Sequence, residues 1–216
     1  MKAFKLLALT SCFLFSAGNI AAQRDYSKSE GLLQYVDPYI GSGYHGHVFV
    51  GTSVPYGMVQ LGPSNIHKGW DWCSGYHYSD SILIGFSHTH LSGTGCTDLG
   101  DILIMPLNEI RTPRGNQDDI RDGYASKYSH DNEIARPEYY SLILDRYNIK
   151  AELTATDRVG FHRYTYPEGK PASILIDLRE GNGSNAYDSY IRKVDDYTVE
   201  GCLLYTSPSP RDRSVS

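Results

Sequence analysis

The run Glu138-Tyr139-Tyr140-Ser141-Leu142-Ile143-Leu144 is followed by Ile149-Lys150-Ala151-Glu152-Leu153-Thr154-Ala155-Thr156, and then by Gly160-Phe161-His162-Arg163-Tyr164-Thr165-Tyr166. Each is short and rich in β-branched and aromatic residues, and Tyr147-Asn148 and Thr156-Asp157 mark turns between them. In the middle run Ala151, Leu153 and Ala155 alternate with Glu152, Thr154 and Thr156, the period of a strand buried on one face. Working outward, residues 125–130 and 173–178 read as strands of the same kind. Upstream, Met58-Val59-Gln60-Leu61, residues 81–86 and residues 101–105, the last ended by Pro106, add more. No stretch sustains a helical period. Short strands spaced about ten residues apart predict an all-β fold, an antiparallel β-sandwich.

The chain has 216 residues, enough for one domain with a true core. Hydrophobic residues at 40% and charged residues at 21% exclude disorder over the whole length and a membrane bundle. A net charge of −5 excludes a nucleic-acid partner held by a basic field. Tyrosines number 18 against 6 phenylalanines, a surplus that suits strands and polar-tipped surfaces such as sugar sites.

The two ends read differently from the middle. Residues 1–22 form an export signal: Lys2 and Lys5, a short apolar run from Leu6 to Phe15, then Ala21 and Ala22 before Gln23. Leu9-Thr10-Ser11-Cys12 also fits a lipobox, with Cys12 as the lipid-bearing residue, but the apolar run continues past it. Either way the chain is expected in the periplasm, at the cell surface or outside the cell, with no integral membrane segment. Residues 23–34 are a polar lead-in to a domain at 35–201. The segment from Cys202 to Asp212 back-translates to a string resembling a transposon adapter used in sequencing libraries. Residues 202–216 are therefore expected not to be native, and the natural protein to continue beyond Gly201. A natural Ser/Pro-rich tail is the alternative.

Six of the eight histidines lie between positions 45 and 90. His45-Gly46-His47 and His88-Thr89-His90 are i, i+2 pairs, which on a strand point to one face, as a metal site requires. Cys73 and His77 are further possible ligands, and Asp98 and Asp101 possible partners behind them. The same rings could instead bond loops and sugar hydroxyls. Trp70-Asp71-Trp72 holds the only two tryptophans. Indole faces stack on the C–H faces of pyranoses while a carboxylate accepts from hydroxyls, so this triplet is a candidate saccharide platform. Gly41-Ser42-Gly43 and Gly93-Thr94-Gly95 read as tight turns, because no phosphate-loop lysine accompanies them. Asn182-Gly183-Ser184 fits a glycosylation sequon. No carboxylate pair is marked as acid and base, and no Gly-x-Ser-x-Gly elbow is present.

Longer blocks carry a family resemblance. Tyr35-Val36-Asp37-Pro38-Tyr39-Ile40-Gly41, Gly46-His47 and Val54-Pro55-Tyr56-Gly57-Met58-Val59-Gln60-Leu61 resemble the opening of glycoside hydrolase family 92. So do residues 70–80, Gly85-Phe86-Ser87-His88-Thr89-His90-Leu91-Ser92-Gly93-Thr94-Gly95-Cys96 and Asp98-Leu99-Gly100-Asp101. The resemblance is dense over residues 35–107 and looser to 201. It implies an exported bacterial exo-α-mannosidase, inverting, calcium-dependent and mostly α-1,2-specific, acting on mannose-containing glycans. It also implies an N-terminal β-sandwich joined to an (α/α)6 barrel that supplies the acid, the base and most of the calcium site. The sandwich completes the mannose pocket. By position, Trp70, Asp71, Trp72 and Cys73, with His88 and His90, are the substrate-binding residues implied for this domain. No catalytic residue and no metal ligand is expected here, and this chain alone is expected to be inactive. Two other classes stay open: a non-catalytic carbohydrate-binding β-sandwich module, and a zinc hydrolase built on the histidines.

Overall fold

The computed structural model describes residues 30–116, 118–182 and 186–204. The export signal, the tail from residue 205 and positions 183 and 184 of the sequon lie outside the described residues. A single helical turn, α1 (Glu30–Leu33), leads in, and no helix among the described residues is long and apolar enough to cross a membrane. The rest is antiparallel sheet.

The first sheet holds β1 (Gly62–Asn65), β2 (Ile82–Ser87), β3 (Leu103–Leu107) and β9 (Ser173–Asp177) in that order, with β4 (Ser126–Lys127) also paired to β2. The second is a meander of β5 (Ile134–Arg136), β6 (Tyr139–Leu144), β7 (Ile149–Ala155) and β8 (Gly160–Thr165). Strands β10 (Asp188–Lys193) and β11 (Val199–Leu204) pair as a two-stranded sheet of their own. The expected all-β sandwich is present. Leu61, Phe86, Leu103 and Met105 of the first layer share one buried core with Tyr140, Leu142, Leu144, Ile149, Ala151 and Leu153 of the second. Across the seam Phe86 meets Tyr164 with ring centroids 6.3 Å apart.

The meander follows the period-two reading closely. Ala151, Leu153 and Ala155 are buried, and Lys150 and Thr154 are exposed. Glu152 faces the other way yet is covered, because Tyr139 donates to it at 2.8 Å and Arg163 grips both its oxygens at 2.8 and 2.7 Å. The Arg163 bonds, with that of Tyr139, hold its carboxyl down at about 2.

Other expectations need correction. Met58-Val59-Gln60-Leu61 is not a strand. Met58 N–H bonds Asp157 O at 2.7 Å and Gln60 N–H bonds His88 O at 2.9 Å, so its donors go to separate segments. The strand starts at Gly62 instead. Pro106 does not end β3 but lies within it, opposite Ile174. The β2–β3 register pairs only Phe86 with Ile104, so Pro106 faces an unpaired side where a missing donor costs little. Residues 125–130 shorten to the two residues of β4, followed by a 3-10 turn that Ser129 caps through Asp131 N. Strands β5, β10 and β11 were not expected. In the β10–β11 hairpin Cys202, Leu203 and Leu204 pair with Tyr190, Ser189 and Asp188.

Candidate functional site

Trp70-Asp71-Trp72 forms a 3-10 turn after Gly69, whose φ of 127° suits only glycine. The turn puts the Trp70 side chain on the rim, 57% exposed. Its Nε1 donates to Gly95 O at 2.9 Å, which fixes the ring edge-on to the Gly93–Gly95 turn. The His47 ring packs against it, T-shaped, with centroids 4.2 Å apart, and the His45 ring lies 5.4 Å away.

Asp71 is the carboxylate of this corner. His45 Nδ1 donates to its Oδ1 at 2.5 Å, and this bond is the first cause holding the carboxyl below its usual range. His47 Nε2 lies 3.7 Å from the same oxygen. The His47 ring is buried, and this nitrogen has no hydrogen-bond partner. The histidines do not reach Asp71 as neighbours on a strand. Tyr44 and His47 both take positive φ, 50° and 54°, and the loop between them doubles back. Gly46 makes that possible, since a Cβ there would run into the Gly41 carbonyl.

The remaining residues expected at the site serve as framework behind it or lie elsewhere. Trp72 stacks on His77 with centroids 4.4 Å apart, and its Nε1 donates to Asp80 at 2.9 Å. Lys68 pairs with the same Asp80 oxygen at 2.8 Å. Cys73 is buried, and its thiol donates to Thr94 O at 3.0 Å. Its carbonyl accepts from the Asn182 side chain.

His90 lies in the core. Its Nδ1 donates to Gln60 O at 2.7 Å, its Nε2 faces Ser87 Oγ at 3.0 Å, and Phe49 stacks on it. Burial lowers it to about 4. His88 lies at the seam between the sheets and not at Trp70. A carbonyl only accepts, so His88 Nδ1 donates to Ile102 O at 2.8 Å and its Nε2 is an acceptor. His162 Nε2 donates to it across 3.0 Å, and His162 Nδ1 accepts from the Tyr164 hydroxyl at 2.7 Å. His162 was missed in the sequence, where it stood as one more residue of a strand.

The structure therefore gathers Trp70 and Asp71 with His45, His47 and the Gly93–Gly95 turn. It backs them with Trp72 and Cys73 and leaves His88 and His90 to the framework. Among the described residues no three His, Cys, Asp or Glu side chains converge as a metal site. Calcium takes about six to eight oxygen ligands, and these residues do not by themselves provide them. What the corner offers is an exposed indole face beside a carboxylate oriented by an imidazole. That pair can stack on a pyranose ring and accept from its hydroxyls.

A β-sandwich with an exposed indole beside a carboxylate on its rim is a candidate carbohydrate-binding domain. Residues 35–215 match the glycosyl hydrolase family 92 N-terminal domain, and the chain belongs to that family. It is 41% identical to a family GH92 α-mannosidase of Bacteroides thetaiotaomicron whose structure was solved with mannoimidazole. That likeness covers 81% of this chain and 23% of that one, with a TM-score of 0.78. A GH92 family glycosyl hydrolase is 30% identical over 80% of this chain and 24% of its own, with a TM-score of 0.67. A protein described as an uncharacterized secreted glycosidase, from the fungus Arthroderma benhamiae, is 31% identical over 74% of this chain and 22% of its own length. The chain thus spans under a quarter of each of these relatives.

Proposed function

We propose that this chain is the N-terminal sandwich of an exported α-mannosidase that removes terminal mannose from glycans, with a preference for α-1,2 links. The observation that carries this reading is the exposed Trp70 face beside Asp71, held by His45. The 41% identity of the chain to an α-mannosidase supports mannose as the sugar this platform takes. In this reading the platform binds and orients the terminal sugar. The indole packs on the C–H face, and Asp71 accepts from hydroxyls with its remaining acceptor positions. Acid, base and calcium belong to a following helical barrel, and hydrolysis proceeds by single displacement with inversion. Calcium supplies electrophilic stabilisation there when bound, and no residue described here is assigned to it.

The test uses the full-length enzyme. Trp70→Ala and Asp71→Asn should each lower kcat/KM on α-1,2-mannobiose roughly tenfold to a hundredfold, with melting unchanged. The 216-residue chain alone should release no mannose, with or without calcium. Wild-type rates in both variants, or mannose release by the chain alone, would overturn the reading. One observation favours a binding module: the platform is built wholly from this chain's residues. If the chain alone binds mannose saturably and the longer gene product has no hydrolase activity, the module reading takes its place.

A further inference from the structure

Two turns meet at the platform, and each carries a cysteine at its end. Cys73 closes the Trp70–Trp72 turn, its N–H bonded to Trp70 O at 3.1 Å. The facing Gly93-Thr94-Gly95-Cys96 turn is tied to it twice, by Trp70 Nε1 to Gly95 O at 2.9 Å and by Cys73 Sγ to Thr94 O at 3.0 Å. Cys96 is the next residue along. Both thiols are free, Cys73 buried and Cys96 exposed. The two are near enough that a charge on Cys96 helps to push the Cys73 thiol up, after burial itself.

We infer that Cys73 and Cys96 are a thiol–disulfide pair, which closes in an oxidising compartment to bolt the Trp70 turn to the turn that holds its indole. The inference rests on the two turns alone and is independent of which sugar the platform takes. The chemistry follows from the two environments. The exposed Cys96 thiolate attacks a low-molecular-weight disulfide such as oxidised glutathione, forming a mixed disulfide and releasing one glutathione thiolate. Cys73 then gives up its proton and displaces the second glutathione, forming the Cys73–Cys96 bond. Two protein thiols are oxidised and one glutathione disulfide is reduced to two thiols. Burial disfavours the Cys73 thiolate, so the second step is the slower one.

The experiment uses the whole chain with Cys12→Ser and Cys202→Ser, leaving only this pair. Incubation with oxidised glutathione should lower the intact mass by about 2 Da. Non-reducing peptide mapping should then join the peptides carrying Cys73 and Cys96. The melting temperature should rise, and dithiothreitol should reverse all three changes. With Cys96→Ser, Cys73 should stay reduced. With Cys73→Ser, whose hydroxyl can still donate to Thr94 O, Cys96 should stop at the glutathione adduct. Two outcomes overturn the inference. One is that both thiols remain titratable after oxidation in folded protein. The other is a stable Cys96 adduct while Cys73 is present and reduced.

Discussion

Glu133 shows how much one side chain settles in this fold. Its carboxylate is buried and receives Tyr140 OH at 2.5 Å, Tyr76 OH at 3.1 and 3.2 Å, and His130 Nδ1 at 2.5 Å. The Tyr76 and Tyr140 side chains are themselves fully buried, so Glu133 is the acceptor that lets them sit in the core. Glu133→Ala leaves both hydroxyls without it and should cost about 3 kcal/mol. By urea titration of the folded chain that loss should lower the midpoint clearly, while Glu133→Gln, which keeps an acceptor oxygen, should lower it less. An unchanged midpoint for Glu133→Ala would contradict this account. Nothing in the local sequence marks Glu133, because its partners at 76 and 140 come from other elements. Trp70 and Asp71 were legible for the opposite reason. Two tryptophans flanking an aspartate in a Gly-rich segment advertise their chemistry without any long-range contact. His45 and His47 were legible as a pair but not as partners of Asp71, since their convergence depends on two residues with positive φ.

At the scale of elements, the sequence revealed strands where one face is buried and concealed those where neither is. The alternation of β7 is plain, whereas every position of β10 is exposed and its sequence carries no period to read. The seam between the two sheets was also hidden, because it joins His88 at the end of β2 to His162 on β8. That seam makes stability depend on pH. Burial holds His162 and His90 at about 4 instead of 6.5, and lowers His88 as well. In the unfolded chain all three take up protons as pH falls through about 6.5, while in the folded chain His90 and His162 resist until about 4. The unfolded state therefore binds more protons in that window, and stability falls as pH drops through it. It should be full above about pH 6.5, and the two histidines should each cost on the order of 2–3 kcal/mol by about pH 4. Urea midpoints measured from pH 7.5 to 4.5 should decline on the acid side. His162→Gln, which can still donate to His88, should flatten that decline, and a slope equal to wild type would show that His162 does not titrate as argued.

For the molecule as a whole, the two sheets cover each other but the β10–β11 hairpin covers little. Tyr187, Tyr190, Ile191, Val194, Tyr197, Val199 and Leu204 are all at least half exposed, and they lie along or beside one hairpin. Other apolar side chains on the rim, including Tyr44, Tyr56 and Ile110, are bare as well. Successive strand residues face opposite sides, so the hairpin side chains lie on both of its faces, with Ile191 and Val199 turned toward Ile102, Ile176 and Leu178. Apolar side chains exposed in this number mark a surface that a partner can cover. If the longer enzyme proposed above is the natural form, the rest of the protein covers part of this surface. The chain expressed alone should then self-associate. Sedimentation velocity across a concentration series should show species larger than the 24.1 kDa monomer growing with concentration. Replacing Tyr190, Ile191 and Val199 together by threonine or lysine should shift the population back toward monomer without altering the core melt, since none of the three belongs to the buried cluster. The full-length protein should need no such change. A wild-type chain that stays monomeric at every concentration, with a cooperative melt, would mean that this face is tolerated in water and that no covering domain is required to explain it.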